Sequence, residues 1–266
     1  MQTETGMLVG LPLLRGGSHC MFHAQIFNAG PAEMRDPMIF YLDFETDGLD
    51  VLGNSIVEIG LLQGAGSSVY STVVRPPASA ARESSEPAVH GISDEELAQG
   101  PGFREAFVRM VGFLDNLVDM AVNDESESSC DELSEGPTLR GAPPQVLIAA
   151  HNGIKFDIPI LFAECLRHDL GLDVFDKWLF VDTLHVLRAL DTSSTGGCVK
   201  LQCLLRHLKA ADGLLQAHRA LDDCFALRGV VQFLAEVHGV SALSLLAPFV
   251  VAMDMDATLA QLSCML

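Results

Sequence analysis

Four carboxylates and one imidazole in this 266-residue chain occupy places where ordinary surface charge does not sit. Asp43 and Glu45 close the apolar run MIFYLDFE, and at that spacing a strand projects both from one face. Two like charges so close raise each other's pKa unless a cation lies between them. A rim pair facing solvent is the other reading. Asp157 follows His151-Asn152-Gly153 and Phe156 at a helix start, directly after an apolar strand. Asp is also an ordinary N-cap there. With Ala220, Leu227, Val230 and Leu234 set on a helix at about 100° per residue, Asp223 falls in the middle of the apolar stripe. Its neighbour Asp222 points toward the polar side. A carboxylate on a core-facing stripe needs a partner, because burying it unpaired is costly. Arg219 is one candidate, and a metal ion shared with acids from elsewhere is the other. On a helix extended back to it, His218 would lie about 140° from Asp223, so it belongs to a loop leading into that helix. A lone His is usually structural; beside a carboxylate cluster it is a candidate general base.

The elements that must position these groups are legible from patterning. Residues 38–45, 55–62 and 68–74 read as strands separated by short Gly/Ser turns, a three-stranded antiparallel meander. Ser93 with Glu96 forms a capping box that opens a short helix. Phe103, Phe107, Met110, Val111, Leu114 and Val118 recur at helical spacing. The spacing then predicts a buried strand over 146–150 and a helix over 157–168 whose first turn tolerates Pro159. A fifth strand is expected over 178–181, with helices over 183–190, 201–208 and 221–237 and a helical tail from Ser241. Strands first and helix–strand alternation after imply an α/β domain with a mixed sheet, antiparallel on one side and parallel on the other. The domain spans 38–240, preceded by a flexible extension over 1–37 and followed by the tail over 241–266. Residues 123–144, with six acids against one Arg, read as a solvated, disordered insertion.

The balance of 35 acidic against 16 basic residues gives a formal charge of -19, which excludes a sequence-blind coat for long nucleic acid. The charge is uneven: residues 200–228 carry a local excess of two positive charges. A hydrophobic fraction of 49% suits a buried core. No apolar run approaches the roughly 18–20 residues of a membrane helix, so no membrane partner is expected. The first residues make a poor secretory signal, lacking a basic flank before a short apolar stretch. Seven cysteines with no C-x-x-C pair suggest neither a disulfide framework nor structural zinc, and a reducing intracellular compartment fits. Nucleus, cytoplasm and mitochondrion all satisfy that expectation.

Taken together, the motifs resemble the DnaQ-like 3′-to-5′ exonucleases of the DEDDh type. The first family motif matches Asp43-Phe44-Glu45-Thr46-Asp47-Gly48-Leu49, the second His151-Asn152-Gly153-Ile154-Lys155-Phe156-Asp157, and the third His218-Arg219-Ala220-Leu221-Asp222-Asp223. His90-Gly91-Ile92-Ser93 and the Val-Asp-Thr-Leu ending at Leu184 are also familiar from that family. The Ile-Pro after Asp157 makes the second motif most like the three-prime repair exonucleases and their bacterial relatives. The proline-rich segment of that subgroup is missing, and the acidic insertion is this chain's own.

The resemblance implies a ribonuclease H-like fold with a five-stranded sheet flanked by helices. It implies that Asp43, Glu45, Asp157 and Asp223 hold two divalent ions, Mg²⁺ or Mn²⁺, which suit hard oxygen ligands. Neutral His218 would take the proton from the attacking water. Thr46, Gly48 and Leu49 would cradle the terminal nucleotide, and Asn152, Lys155 and Phe156 would contact sugar, base or phosphate. The substrate would be single-stranded DNA or a DNA 3′ end, with release of nucleoside 5′-monophosphates. RNA 3′-end trimming is the alternative substrate, and a non-catalytic ribonuclease H-like binding module the alternative class. Relatives are often homodimers through a sheet edge.

Overall fold

The computed structural model describes residues 24–26, 35–77, 90–128, 143–190, 197–201, 203–204 and 219–253. Strand β2 (Met38–Thr46) lies inside the sheet, and its alternation decides which face does what. Phe40, Leu42 and Phe44 enter one apolar cluster, while Tyr41 enters another, so the two faces are covered separately. Asp43 and Glu45 share the Tyr41 face by the same period of two. β2 pairs antiparallel with β3 (Ile56–Gln63), and β3 with β4 (Val69–Val73), which is the expected meander. On its other side β2 pairs parallel with β5 (Val146–Ala150), and β5 with β6 (Trp178–Asp182). Both parallel strands are buried along their whole length, as strands covered on two faces must be.

Two further strands extend the sheet beyond the five expected. β7 (Val251–Met253) pairs antiparallel with β6, and β1 (Ala24–Ile26) pairs with β7, so the order is β1-β7-β6-β5-β2-β3-β4. Thus part of the expected extension over 1–37 is a strand, and the tail is not wholly helical. It forms α6 (Ala242–Leu246), a 3-10 turn at Ala247–Phe249, and then β7. Three-residue strands are too short for alternation to register, which is why patterning missed both.

The helices fall on two sides. α2 (Phe103–Ser128) sends Phe103, Phe107, Met110 and Leu114 into the cluster that holds Phe40 and Leu42. α3 (Asp157–Arg167) joins it there through Ile158, Leu161, Phe162 and Cys165. The opposite face receives Val186 and Leu187 of α4 (Thr183–Ala189), and Leu227, Val230, Val231 and Leu234 of α5 (Ala220–His238). α5 ends at Gly239, whose φ of 66° is the left-handed cap that glycine adopts without strain. The short helix α1 (Asp94–Gln99) is capped by the Ser93 side chain, which accepts from the Glu96 amide as the capping box predicted. α2 runs six residues into the stretch expected to be disordered from 123, because a helix once nucleated adds one hydrogen bond per residue even through acidic sequence. Residues 129–142 of that insertion, and 202 and 205–208 of the expected 201–208 helix, lie outside the described residues. No single helix among the described residues is long and apolar enough to cross a membrane. Cys198 and Cys203, with Cα atoms 6.2 Å apart, form a disulfide, one local link in a chain whose cysteine spacing suggested no framework.

Candidate active site

Three chain-remote segments converge where β2 ends. Carboxylate oxygens of Asp43, Glu45 and Asp223 all lie within 4.8 Å of one another. The convergence has a clear backbone cause. Asp43 pairs with Gly60 across β2 and β3, and Gly60 is where the first turn of α5 rests on the sheet. A Cβ at Gly60 would lie 2.4 Å from the Ala220 carbonyl carbon and 2.5 Å from the Leu221 nitrogen. Only glycine permits that approach, and Asp223 sits one turn further along the helix. Cys224 completes the seat, its Sγ donating to the Gly60 carbonyl at 3.2 Å.

Asp157 joins the group from the other side of β2. It is 4% exposed, and its Oδ1 accepts from the Phe44 amide at 3.3 Å, between the two β2 carboxylates. The N-cap expected of it is not its role, since Phe156 holds the cap position and Asp157 is the first helical residue. Burial pushes the Asp43 carboxyl well above its ordinary range, and the charges of Asp157, Asp223, Glu45 and Glu58 add to that. Glu45 is raised to about 7, first by burial and then by Asp223, Glu58 and Asp157. Asp157 is also raised to about 7, chiefly by burial, with its backbone hydrogen bonds opposing. Carboxylates that resist ionisation together are the electrostatic signature of a site built for added positive charge. The donor set is all oxygen, which suits a hard divalent cation.

The loops around the cluster are held by their own contacts. At the end of β2, Thr46 Oγ1 donates to the Gly48 carbonyl at 2.7 Å, and the Asp47 carboxylate accepts from the Ser55 amide at 2.7 Å. A Cβ at Gly48 would stand 2.4 Å from Asn54 Oδ1, so a side chain there would displace the Asn54 amide that accepts from the Asp50 nitrogen. Leu49, at the tip, is 87% exposed. Before α3, Asn152 adopts φ 62°, in the left-handed region that few residues other than glycine enter readily. Asp182 holds it there, accepting from the amides of Asn152 at 2.9 Å, Ile154 at 3.3 Å and Leu184 at 2.9 Å. His151 faces Thr183 Oγ1 at 3.1 Å, and burial lowers its pKa, which favours the neutral ring. Phe156 is half-buried and Lys155 exposed, each adjoining Asp157 in the chain.

Sequence reasoning offered Arg219 as a partner for Asp223. Its guanidinium instead grips Glu58 of β3, with Nη2 at 2.7 Å and Nε at 3.0 Å from Oε1, and reaches Glu96 of α1 at 3.3 Å. Sequence reasoning missed Glu58, and it noted Asp182 only as part of the Val-Asp-Thr-Leu segment, without a role. Glu58 carried a signal of the same kind as Asp223, a lone charge inside the apolar run SIVEIGLL. His218 lies outside the described residues.

This mixed sheet, with acids gathered at the end of β2, is the ribonuclease H-like α/β fold. Two solved structures that it resembles are nucleases. It aligns with cell-death related nuclease 4 at a TM-score of 0.52 and 13% identity, covering 76% of this chain and 64% of that one. It aligns with the zinc-bound complex of E. coli ExoI and single-stranded DNA at 0.50 and 14%, covering 77% and 42%. In sequence, 91 residues are 34% identical to the PolC-type DNA polymerase III of Thermotoga maritima, and 85 residues are 35% identical to that of Thermotoga petrophila. The chain spans 6% of the length of either polymerase. No family model matches the chain.

Proposed function

We propose that this chain is a DnaQ-like, metal-dependent 3′-to-5′ exonuclease of the DEDDh type. It removes nucleoside 5′-monophosphates from the 3′ end of nucleic acid and prefers single-stranded DNA to RNA. The observation that carries the reading is the meeting of Asp43, Glu45 and Asp223 within 4.8 Å, with Asp157 hydrogen-bonded to the backbone between the first two. The solved nucleases sharing the fold and the stretches matching PolC-type polymerases support it.

Asp43, Glu45, Asp157 and Asp223 would hold two Mg²⁺ or Mn²⁺ ions. Bound there, such ions supply Lewis-acid activation and charge neutralisation for an in-line phosphodiester displacement. The remaining steps belong to the chain's own residues. His218, neutral at working pH, takes the proton from the attacking water. Leu49, exposed at the tip of the loop that follows Glu45, packs on the terminal base. Thr46 and Gly48 shape that loop, and their side-chain and steric constraints are already satisfied within it. Asn152, Lys155 and Phe156 contact the sugar, base and phosphate from the loop before α3. Asp182 keeps that loop in the left-handed turn at Asn152.

The test uses 5′-labelled single-stranded DNA and RNA of matched sequence, incubated with the full chain and Mg²⁺. A ladder shortening from the 3′ end is expected, faster on DNA, and abolished by EDTA and by Asp43→Ala. His218→Ala should reduce the rate by orders of magnitude. Faster loss of the RNA would overturn the substrate preference, and a metal-independent ladder would overturn the mechanism.

A further inference from the structure

Glu164 stands two turns beyond Asp157 on α3 and is 1% exposed. A buried carboxylate is costly unless its oxygens are satisfied. Its Oε1 accepts from the Ile56 amide at 3.2 Å and meets Arg167 Nη2 at 3.2 Å. Its Oε2 meets His168 Nε2 at 3.2 Å, and the Ser55 side chain also bonds to the carboxylate. The same Arg167 Nη2 donates to the Asn54 carbonyl at 2.6 Å. Three consecutive residues, Asn54, Ser55 and Ile56, are therefore held by the last turn of one helix. The guanidinium does not fork onto Glu164: one nitrogen serves both partners, while the buried Nε has no partner among the described residues. Its placement suits the Asn54 carbonyl better than it suits the ion pair.

Those residues govern the loop between β2 and β3. Ser55 is tied to Asp47 twice, its amide donating to the Asp47 carboxylate at 2.7 Å and its carbonyl accepting from the Asp47 amide at 3.1 Å. Asn54 is tied to Asp50 twice, its Oδ1 accepting from the Asp50 amide at 2.8 Å and its own amide donating to the Asp50 carbonyl at 2.8 Å. Leu49 lies between these two clasps, and its exposed side chain takes its place from them. The other end of α3 carries Asp157, fixed on the Phe44 amide beside the carboxylate cluster. One helix thus touches both places, about 10–15 Å apart along its axis at 1.5 Å per residue. We propose that Glu164 and Arg167 are the positioning residues for the Leu49 loop, holding it in register with the carboxylate cluster so that one bound 3′ end reaches both. This inference deepens the reading above and rests on Leu49 being a substrate contact.

The experiment compares Arg167→Met and Glu164→Gln in the full chain, each alone and combined with Leu49→Ala. Arg167→Met keeps most of the stem and removes the donor to Asn54. It replaces a partly exposed side chain, so the fold is retained if Glu164→Gln fails to fold. Steady-state rates on a 5′-labelled single-stranded oligonucleotide with Mg²⁺ are read beside the melting temperature and amide exchange at Asp47, Asp50 and Asn54. Exchange at those amides should quicken. KM should rise several-fold, at most the roughly tenfold that loss of the Leu49 contact itself would cause, with kcat and the half-saturating Mg²⁺ concentration unchanged. Arg167→Lys, which keeps one donor for the Asn54 carbonyl, should restore most of the parental KM. In the Leu49→Ala background the same substitutions should raise KM no further, because no base contact is left to place. A lowered Tm with parental KM, a fall in kcat at constant KM, or a KM rise of equal size in both backgrounds overturns the proposal. If Leu49→Ala alone kept the parental KM, the assignment of the substrate contact would fall first, and the two failures are distinguishable.

Discussion

Gly60→Ala is the sharpest single perturbation of this site. The new methyl would stand 2.4 Å from the Ala220 carbonyl carbon, 2.5 Å from the Leu221 nitrogen and 2.6 Å from the Ala220 oxygen. Ordinary contact begins at 3.4 Å, and all three neighbours are backbone. The first turn of α5 must therefore withdraw from the sheet by about 1 Å, since no flexible side chain is there to yield. Asp223 moves with it, away from Asp43 across the strand. Overpacking of this kind costs about 1–3 kcal/mol, which in a domain of this size lowers Tm by roughly 3–10 °C. The effect on catalysis is larger in proportion, about 100-fold in kcat for 1 Å at the reacting centre. The half-saturating Mg²⁺ concentration should rise as well, because one ligand has left the other three. The assays are thermal melting, exonuclease rate against Mg²⁺, and alkylation of Cys224, which is buried while its thiol meets the Gly60 carbonyl. Unchanged Tm and rate would mean that the seat at Gly60 does not hold Asp223 in register, and the account of how the site is assembled would fail.

Three further outcomes follow from the electrostatics and the loops. Glu45 and Asp157 both have folded pKa values raised to about 7, so the metal-free protein binds more protons folded than unfolded. Its Tm in EDTA should fall as pH rises from about 4 to about 7, and Mg²⁺ should restore most of that loss at pH 8 and little at pH 5. A Tm independent of pH in EDTA would contradict the crowding of carboxylates. Asp182→Asn turns one acceptor into a donor against the amides it serves, a cost of about 1–3 kcal/mol read as lowered Tm, together with raised KM from the loosened Asn152 loop. Leu49→Ala should leave Tm unchanged because the side chain is 87% exposed, yet raise KM roughly tenfold through about 1–2 kcal/mol of lost base burial. A KM equal to that of the parent would remove Leu49 from the substrate contact.

Strands β2 to β6 and both flanking sets of helices were legible because each is long enough for its period to show. β5 was read to the residue, and the boundaries of β2 and α5 to within one. Asp223 was found by the same logic, as a charge out of place on an apolar stripe. Glu58 carried that signal too, but its partner lies 161 residues away, and no local pattern announces a contact across that distance. Asp182 was visible as part of a motif, while its task of gathering three amides depends on how the loop before α3 folds back. β1 and β7 were illegible for a different reason. At three residues each, they are defined by whom they pair with rather than by what they contain.

That pairing has a consequence for how the chain is made. β7 lies between β6 and β1, so the N-terminal strand has no neighbour in the sheet until Val251–Met253 has been synthesised. Through translation, β6 presents an unpaired edge and the early strand waits without a partner. The sheet can close on that side only after release of nearly the whole described chain, which makes this the slow, non-local part of folding. It also makes the exposed edge of β6 the place where an incomplete chain would meet others.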